Sequence, residues 1–285
     1  MIAFRFGTVG SPLSTPTKPG GSIGAILRMR SLNLNALELG WVRSVRVSEN
    51  TCELIKKTAL EQDVSISVHA PYYINLNADK TEWPKSRQRL IDAATFGSLA
   101  GATDIVFHPG SYFGQSPDFV MKIALQRLEN VLRSLSEKHI QVILRPETMG
   151  KSAMLGSLED TLMMSKEFEG IQPCLDFAHL HARPGNGSMN SVDEWRQLLE
   201  TYAKSLGQNA LSSLHIHLSG IEYTAKGEKN HLPLADSDFN LRALFTALNE
   251  FNCSGRILCE SPAMENDAVM MKQLWGDLFA RPVDL

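Results

Sequence analysis

The sequence predicts an α/β protein, a single (β/α)8 TIM barrel over residues 1–285. Short apolar runs alternate with longer amphipathic stretches, which is the pattern expected of βα units in a parallel sheet. The chain has 285 residues, and a barrel of this kind typically needs about 250. No proline- or glycine-rich linker divides the apolar runs. One closed barrel is therefore favoured over two domains.

Eight apolar runs are predicted as the barrel strands. In chain order they are Ile2–Thr8, Ala36–Leu39, Val64–His69, Asp104–His108, Gln141–Glu147, Gln172–Asp176, Ser213–Ser219 and Arg256–Glu260. The clearest helical patterns between them are Trp83–Leu99, Pro117–Glu137, Val192–Ser205 and Phe239–Phe251. Ser116 and Ser191 are expected to be helix N-caps, because a proline or acidic residues follow them in the first turn. The pair Gly20-Gly21 lacks the spacing of a phosphate-binding loop and is interpreted as a flexible loop before a helix.

Composition limits the class of protein. Hydrophobic residues make up 43% and charged residues 21%, as in ordinary soluble domains with a large core. No apolar run approaches the roughly 20 residues that span a bilayer, and the first residues do not resemble a secretory signal. The four cysteines lack CxxC spacing and are expected to be buried thiols, which favours a reducing, cytoplasmic location. The oligomeric state is not determined by the sequence, and a monomer is the default.

Charge restricts the possible partners. A formal net charge of −3 argues against a protein that holds nucleic acid by bulk electrostatic attraction. It leaves open a site that binds a few phosphates through metal ions and local arginines.

Six consecutive predicted strands end in side chains that can bind metal ions. These are His69, His108, Glu147, Asp176, His217 and Glu260, while His179 follows Asp176 by three residues and His231 stands in the loop before the last strand. Barrel enzymes carry their chemistry at the carboxyl ends of the strands, and packing alone would favour Val, Ile or Leu there. Imidazole and carboxylate are ligands for zinc and similar ions. We therefore predict a cluster of two or three Zn²⁺ ions, with Mn²⁺ or another divalent ion as alternatives.

Such a cluster suits one reaction best. Neighbouring metal ions lower the pKa of a bound water towards ~7 and stabilise charge on a phosphoryl oxygen. A carboxylate between two ions, such as Glu147, can bridge them. Metal-assisted phosphodiester hydrolysis is therefore the expected chemistry.

The remaining histidines are not counted among the ligands. His215 shares a strand face with His217, because residues two apart point the same way, and is expected to lie behind that ligand. His181 is expected to line a loop with Arg183, and His139 to be a histidine of the core or surface.

Four motifs resemble the signatures of the endonuclease IV group, AP endonuclease family 2. They are His69-Ala-Pro-Tyr-Tyr-Ile-Asn-Leu, Val106-Phe-His108-Pro-Gly, Leu175-Asp176-Phe-Ala-His179 and Leu258-Cys-Glu260-Ser-Pro, and they occur in order along nearly the whole chain. The resemblance implies a xylose-isomerase-like barrel and a trinuclear zinc enzyme of base-excision repair that cuts DNA 5′ to abasic sites.

The resemblance also implies a ligand set for each ion. The first would use His69, His108 and Glu147, the second Glu147, Asp176, His217 and Glu260, and the third His179 and His231 with an Asp. In this scheme Glu147 holds the metals and Glu260 orients or deprotonates the nucleophile.

The chain departs from the family pattern at the third ion. The expected Asp-x-His is replaced by Lys229-Asn230-His231, so either Glu228 supplies the missing carboxylate or the third site binds its metal more weakly. The segment Arg145-Pro146-Glu147 also differs from the usual Leu-Glu-Asn. These departures indicate a divergent branch.

Residues near the predicted mouth are candidates for substrate contacts. Tyr72 and Tyr73 follow the His69 strand and either stack against nucleic acid or pack on a neighbouring loop. Arg145, Arg183, Lys226 and Lys229 could contact phosphates or merely be solvated, and Arg183 and Lys229 are the favoured pair.

Two other functions are compatible with the residues. A sugar isomerase or epimerase would hold one metal with Glu147, Asp176, His217 and Glu260. A single metal cannot use the additional histidines, which favours the cluster and therefore hydrolysis. A damage-binding protein without catalytic activity is the third alternative.

Overall fold

The computed structural model describes residues 4–279, in which eight parallel strands form one sheet and two more form an antiparallel hairpin. The strands are β1 (Arg5–Val9), β2 (Ala36–Gly40), β3 (Ser65–His69), β4 (Ala102–Phe107), β5 (Ile143–Pro146), β6 (Cys174–Asp176), β7 (Leu214–Leu218), β8 (Gly220–Thr224), β9 (Gly227–Leu232) and β10 (Gly255–Cys259). The sheet has the order β5–β4–β3–β2–β1–β10–β7–β6. Isolated bridges Leu144–Ile171 and Glu147–Cys174 connect the two end strands. The predicted (β/α)8 barrel is confirmed.

The predicted strands agree with the observed ones within two residues at each described end. The predicted start at Ile2 and both ends of the predicted domain, residues 1–285, lie outside the described residues. The hairpin of β8 and β9 was not predicted. Its sequence is polar around the turn at Gly227, whose φ of +93° favours glycine. His231 is therefore on strand β9, and its predicted place in a loop is wrong.

Most of the helices cover the outside of the barrel. The helices are α1 (Gly21–Ser31), α2 (Glu49–Glu61), α3 (Trp83–Leu99), α4 (Pro117–Glu137), α5 (Leu158–Glu167), α6 (Phe177–Ala182), α7 (Val192–Leu206), α8 (Leu241–Glu250) and α9 (Glu265–Phe279), with 3₁₀ turns at Gln208–Ser213 and Leu234–Asp236. The short, buried α6 instead carries His179 at the mouth. Two predicted helices match α3 and α4 at both ends. Helix α8 begins later than predicted because the Asn240 side chain accepts a hydrogen bond from the amide of Ala243.

Helix starts follow the sequence signals in most places. Ser191 and Glu194 form a reciprocal capping box at α7. Ser116 occupies the N-cap position of α4, but its side chain makes no capping bond. The predicted loop at Gly20-Gly21 is wrong for Gly21, because the Gly20 carbonyl accepts the first helical hydrogen bond from Gly24 and α1 begins at Gly21.

The barrel is closed at its amino-terminal end by a buried charged group. Arg145 Nε donates to Asp104 Oδ1 at 2.6 Å, and Arg256 Nη2 lies 2.9 Å from Asp104 Oδ2. Arg145 also donates to the carbonyls of Pro173 and Ser213, which precede β6 and β7. Arg145 is thus buried away from the mouth, so the suggested phosphate contact for this residue is wrong.

The cysteines and the helices were also the subject of sequence predictions. All four cysteines are free and buried in the described part of the chain. None of the helices within residues 4–279 is both long and apolar enough to cross a membrane.

Candidate metal centre

Eight candidate ligands lie together at the carboxyl end of the barrel. They form three adjoining groups, His69–His108–Glu147, Glu147–Asp176–His217–Glu260 and Asp176–His179–His231, and within each group one donor atom per residue lies within 4.8 Å of the others. Glu147 and Asp176 each belong to two groups. Parallel strands end at one edge of the barrel, which is why residues distant in sequence converge here.

In the first group, two imidazoles approach the same carboxylate oxygen. The Nε2 atoms of His69 and His108 each lie 3.2 Å from Glu147 Oε2. His69 Nδ1 lies 2.9 Å from the carbonyl oxygen of Ala70, which fixes the ring orientation. Burial alone would lower the pKa of His69, but the hydrogen bond and charge of Glu147 raise it to about 9.

The second group surrounds the fully buried His217 side chain. Its Nδ1 lies 3.4 Å from both Glu147 Oε1 and Glu260 Oε1. Burial raises the pKa of Asp176 to about 6, and the charges of Glu260 and Glu147 act in the same direction, against that of His179. These carboxylates repel one another, and a bound cation would relieve that repulsion.

The third group brings two imidazole nitrogens face to face. His179 Nε2 and His231 Nε2 are 3.1 Å apart, and His179 Nδ1 lies 2.9 Å from the carbonyl oxygen of Thr148. Two ring nitrogens at this distance need either a shared proton or a shared cation. Glu228 Oε2 lies 3.6 Å from His179 Nε2, so the tentative ligand Glu228 reaches the edge of this group.

Buried polar atoms test whether the group suits a metal. Within the described residues, Glu147 Oε1, Asp176 Oδ2 and both ring nitrogens of His217 are buried without a hydrogen-bond partner. Buried polar atoms are normally paired, but three of these four, Glu147 Oε1, Asp176 Oδ2 and His217 Nδ1, lie only 3.4–3.5 Å from other candidate ligands. Nitrogen and oxygen donors of this kind suit Zn²⁺ or Mn²⁺. The residues therefore fit a divalent metal cluster.

A further buried carboxylate, Glu38, was missed by the sequence analysis. Its Oε2 accepts a hydrogen bond from Ser67 Oγ at 2.7 Å and lies 2.9 Å from His215 Nε2, and its Oε1 lies 3.0 Å from His217 Nε2. The signal was a lone carboxylate in the apolar strand Ala-Leu-Glu-Leu. His215 lies behind His217, where the sequence placed it.

A fourth possible group contains the Cys174 thiol with His215 and His217. Burial raises the pKa of that thiol, so a metal would have to displace its proton on binding. This group has only His217 in common with the three groups above.

The candidate substrate residues differ in their surroundings. The Tyr72 ring stacks on His108 with centroids 4.9 Å apart, and Tyr73 is 63% exposed. Arg183 donates to the carbonyls of Met149, Lys151 and Met154 and so ties down the loop after β5. Exposed Lys229 pairs with Glu222 at 2.6 Å. The Arg183 guanidinium is therefore occupied by these loop carbonyls and is not free to contact a phosphate.

Two histidines lie apart from the cluster as expected. His181 Nδ1 lies 2.9 Å from the carbonyl of Ser188, and its Nε2 lies 3.1 Å from Asp238 Oδ1. His139 is an exposed residue in the turn after α4, with φ of +56°.

A groove of about 750 Å³ lies beside the mouth, between the segments that follow β3 and β4. It is lined by Tyr73, Phe113, Phe119, Arg89 and Arg127, among others. None of the eight candidate ligands lines it. It shares Tyr73 with the loop that carries Tyr72.

The fold and the cluster together define a class, the (β/α)8 barrels with a histidine–carboxylate centre at the mouth. Comparison with known families is more specific. The chain belongs to the xylose isomerase-like TIM barrel family, whose model matches residues 26–276.

Individual relatives fall into two kinds. The uncharacterized protein MJ0133 of Methanocaldococcus jannaschii is 38% identical over 278 residues, covering 97% of this chain and 98% of that protein. A probable endonuclease 4 of a Geobacillus species is 30% identical over 165 residues, covering 53% of this chain and 51% of that protein. The match to this endonuclease thus spans about half of each chain.

Solved structures show the same fold. Endonuclease IV from Thermus thermophilus superposes with a TM-score of 0.72 at 20% identity, covering 96% of this chain and all (100%) of the other. A D-tagatose 3-epimerase-like protein gives 0.71 at 17% identity, covering 96% of each chain. At these identities the likeness is one of fold.

Proposed function

We propose that this protein is a zinc-dependent phosphodiesterase that cuts DNA on the 5′ side of abasic sites in base-excision repair. The observation that carries the proposal is the number of converging donors. Eight side chains form three groups that share Glu147 and Asp176, whereas one zinc ion takes about four ligands. The partial similarity to a probable endonuclease 4 supports the same reaction.

The three groups would hold the ions, with Mn²⁺ as an alternative to Zn²⁺. Bound ions of this kind activate water for attack and neutralise charge on the phosphoryl oxygens. Glu147 would hold two ions together, because its oxygens face the first and second groups separately. Glu228 would complete the third group in place of the Asp that the family pattern leads us to expect.

Glu260 is the proposed general base. Its carboxylate is slightly exposed at the mouth, with Oε1 3.4 Å from His217 Nδ1 and Oε2 3.9 Å from His231 Nδ1. In the proposed step Glu260 takes a proton from the attacking water, the water oxygen bonds to phosphorus, and the bond from phosphorus to the leaving sugar oxygen breaks. That oxygen then takes a proton from solvent.

The exposed residues around the mouth would bind the DNA. Tyr72 and Tyr73 would stack against bases next to the lesion, since aromatic faces bind unstacked bases without sequence preference. Lys229 lies on the exposed hairpin and would contact a backbone phosphate after leaving Glu222. Arg183 would act through the loop that it holds, which carries Gly150 beside the third group.

A variant of Glu260 tests the assignment of the base. Glu260→Gln should abolish cleavage of an abasic oligonucleotide while leaving its binding nearly unchanged, because the amide keeps the shape but cannot accept the proton. Glu129→Gln, on the exposed face of α4, is the matched control and should cleave normally. Normal turnover by Glu260→Gln would refute the base.

A one-metal sugar epimerase is the second candidate, since the group of Glu147, Asp176, His217 and Glu260 suffices for one ion. His69→Asn and His231→Asn distinguish the two functions. Both variants should lose phosphodiester cleavage if the cluster performs it. Epimerisation of a ketohexose by the wild-type protein, retained in both variants, would establish the second candidate instead.

A further inference from the structure

Glu38 is a buried carboxylate that the proposed reaction leaves without a role. Its neighbours on β2, Ala36, Leu37 and Leu39, are buried and apolar, and the Glu38 side chain is itself fully buried. Removing a carboxylate from water costs free energy unless it gains partners of high quality. Among the described residues Glu38 forms no ion pair with a lysine or arginine. Its ion-pair contacts are with the imidazoles of His215 and His217. A charge retained at such a place calls for an explanation.

The two oxygens of Glu38 have different partners. Oε2 receives the hydroxyl of Ser67 and faces His215 Nε2. Oε1 lies 3.0 Å from His217 Nε2, at ion-pair distance, and neither of these two atoms makes a hydrogen bond within the described residues. The Cys174 thiol also lies near the His217 ring. Nδ1 of the same ring faces Glu147 and Glu260 instead.

His217 differs from the other oriented histidines of the cluster. His69 and His179 each place Nδ1 2.9 Å from a backbone carbonyl, which leaves Nε2 facing the neighbouring ligands. His217 is reversed, with Nε2 on the Glu38 carboxylate and Nδ1 facing the second group. A neutral imidazole carries its proton on one ring nitrogen, and a metal ion binds the other, unprotonated nitrogen. The partner of Nε2 thus decides which nitrogen of His217 is available.

We propose that Glu38 is a positioning residue, which holds the Nε2 proton of His217 so that Nδ1 is presented to the metal ion of the second group. The inference rests on the proposed metal centre, but not on the identity of the substrate. A carboxylate behind a ligating imidazole also raises the basicity of that ligand, which a backbone carbonyl does less strongly. Glu38 therefore strengthens the second site in particular.

A chelator-competition titration of the Zn²⁺-loaded protein tests this role. Glu38→Leu should weaken one of the bound ions by about 10- to 100-fold and leave the others within about threefold of wild type. Ser67→Ala is the matched control, because it removes a contact to Oε2 and leaves the Oε1 contact with His217 in place. It should leave every ion within about threefold as well. Equal weakening of all ions, or no weakening, in Glu38→Leu would mean that Glu38 is only a structural ion pair.

Nitrogen-15 spectra of histidine in the Zn²⁺-loaded wild-type protein give a second readout that does not depend on a variant of Glu38. His217, assigned by its absence in His217→Gln, should carry its proton on Nε2. A proton on Nδ1 would overturn the inference whatever the titration shows. The two proposals fail separately: a protein that holds its metals as described but leaves abasic DNA intact refutes only the reaction. A protein that cuts the DNA with His217 protonated on Nδ1 refutes only the role of Glu38.

Discussion

At the scale of single residues, Glu147 makes the most contacts in the centre. Its two oxygens lie between 3.2 and 3.5 Å from ring nitrogens of four histidines, His69, His108, His179 and His217. Burial alone would raise the pKa of Glu147, but the charge of His108 and the close imidazoles of His217 and His69 hold it well below the usual value. Glu147 is therefore an anion that belongs to both the first and the second group.

Glu147→Gln should remove the charge that the first and second groups share. We expect the metal content per chain to fall from about three ions to about one, since a bridging carboxylate serves two of them. Elemental analysis of the purified variant measures this. Glu129→Gln, on the exposed face of α4, is the control and should keep the wild-type content. Full occupancy in Glu147→Gln would show that the carboxylate is not a shared ligand.

Glu228 and Lys229 are adjacent but face different surroundings. Glu228 Oε2 approaches His179, while Lys229 Nζ pairs with Glu222 in solvent. Glu228→Gln should therefore cost about one metal ion per chain, whereas Lys229→Met should leave the metal content unchanged. A titration with Zn²⁺ measures both. Retention of the third ion by Glu228→Gln would contradict the assignment of Glu228 as one of its ligands.

At the scale of elements, the hairpin of β8 and β9 completes the centre by approaching the loop after β5 very closely. The amide of Glu228 donates to the Gly150 carbonyl at 2.9 Å. A Cβ on Gly150 would lie 2.6 Å from Glu228 Cβ and 3.1 Å from His179 Cδ2. Only glycine allows this approach without displacing the hairpin.

Gly150→Ala should therefore displace Glu228 and His231 and weaken the third ion while the barrel remains folded. The expected loss is about tenfold in affinity for that ion, comparable to other changes in the residues that support metal ligands. Gly276→Ala, in α9, where an added Cβ meets no atom within 4 Å, is the matched control. Equal metal affinities in the two variants would contradict the close-approach argument.

The elements also show what the sequence could and could not predict. The barrel strands were predictable because each apolar run is bounded by turn residues, and the ligands because His or carboxylate stands where such a run ends. The hairpin was not, since Tyr223–Asn230 is mostly polar and its pairing depends on the neighbouring loop. Glu38 was also missed, because its partners Ser67, His215 and His217 come from other strands. Contacts of that kind are fixed by the register of the barrel.

At the scale of the whole molecule, the two ends of the barrel carry different charged groups. The candidate metal ligands lie at the mouth. At the amino-terminal end, Asp104 forms ion pairs with Arg145 and Arg256. Burial by itself would raise the pKa of Asp104, but the two guanidinium charges outweigh it and hold that pKa well below the usual range. Such a carboxylate stabilises the fold above its unfolded pKa of about 3.9, and this stability is lost as the pH falls further.

Asp104→Asn should lower the free energy of unfolding by about 3–5 kcal/mol at pH 7, because it leaves buried arginine charge without a partner. The difference from wild type should shrink as the pH falls below about 4, where the Asp104 carboxyl of the unfolded chain takes up its proton while that of the folded protein stays ionised. Urea unfolding of the EDTA-treated proteins measures both effects. Glu250→Gln, which breaks the exposed pair with Arg196, should change stability far less. Equal losses in the two variants would contradict a stabilising role for the buried group.

The central claim is that the mouth of this barrel holds several metal ions that cut a phosphodiester. Its most direct test is the metal content per chain of the purified protein, measured together with cleavage of an oligonucleotide that carries one abasic site. We expect about two to three ions per chain and a cut on the 5′ side of the lesion. A single ion per chain with an intact oligonucleotide would contradict the claim and would favour the one-metal sugar epimerase.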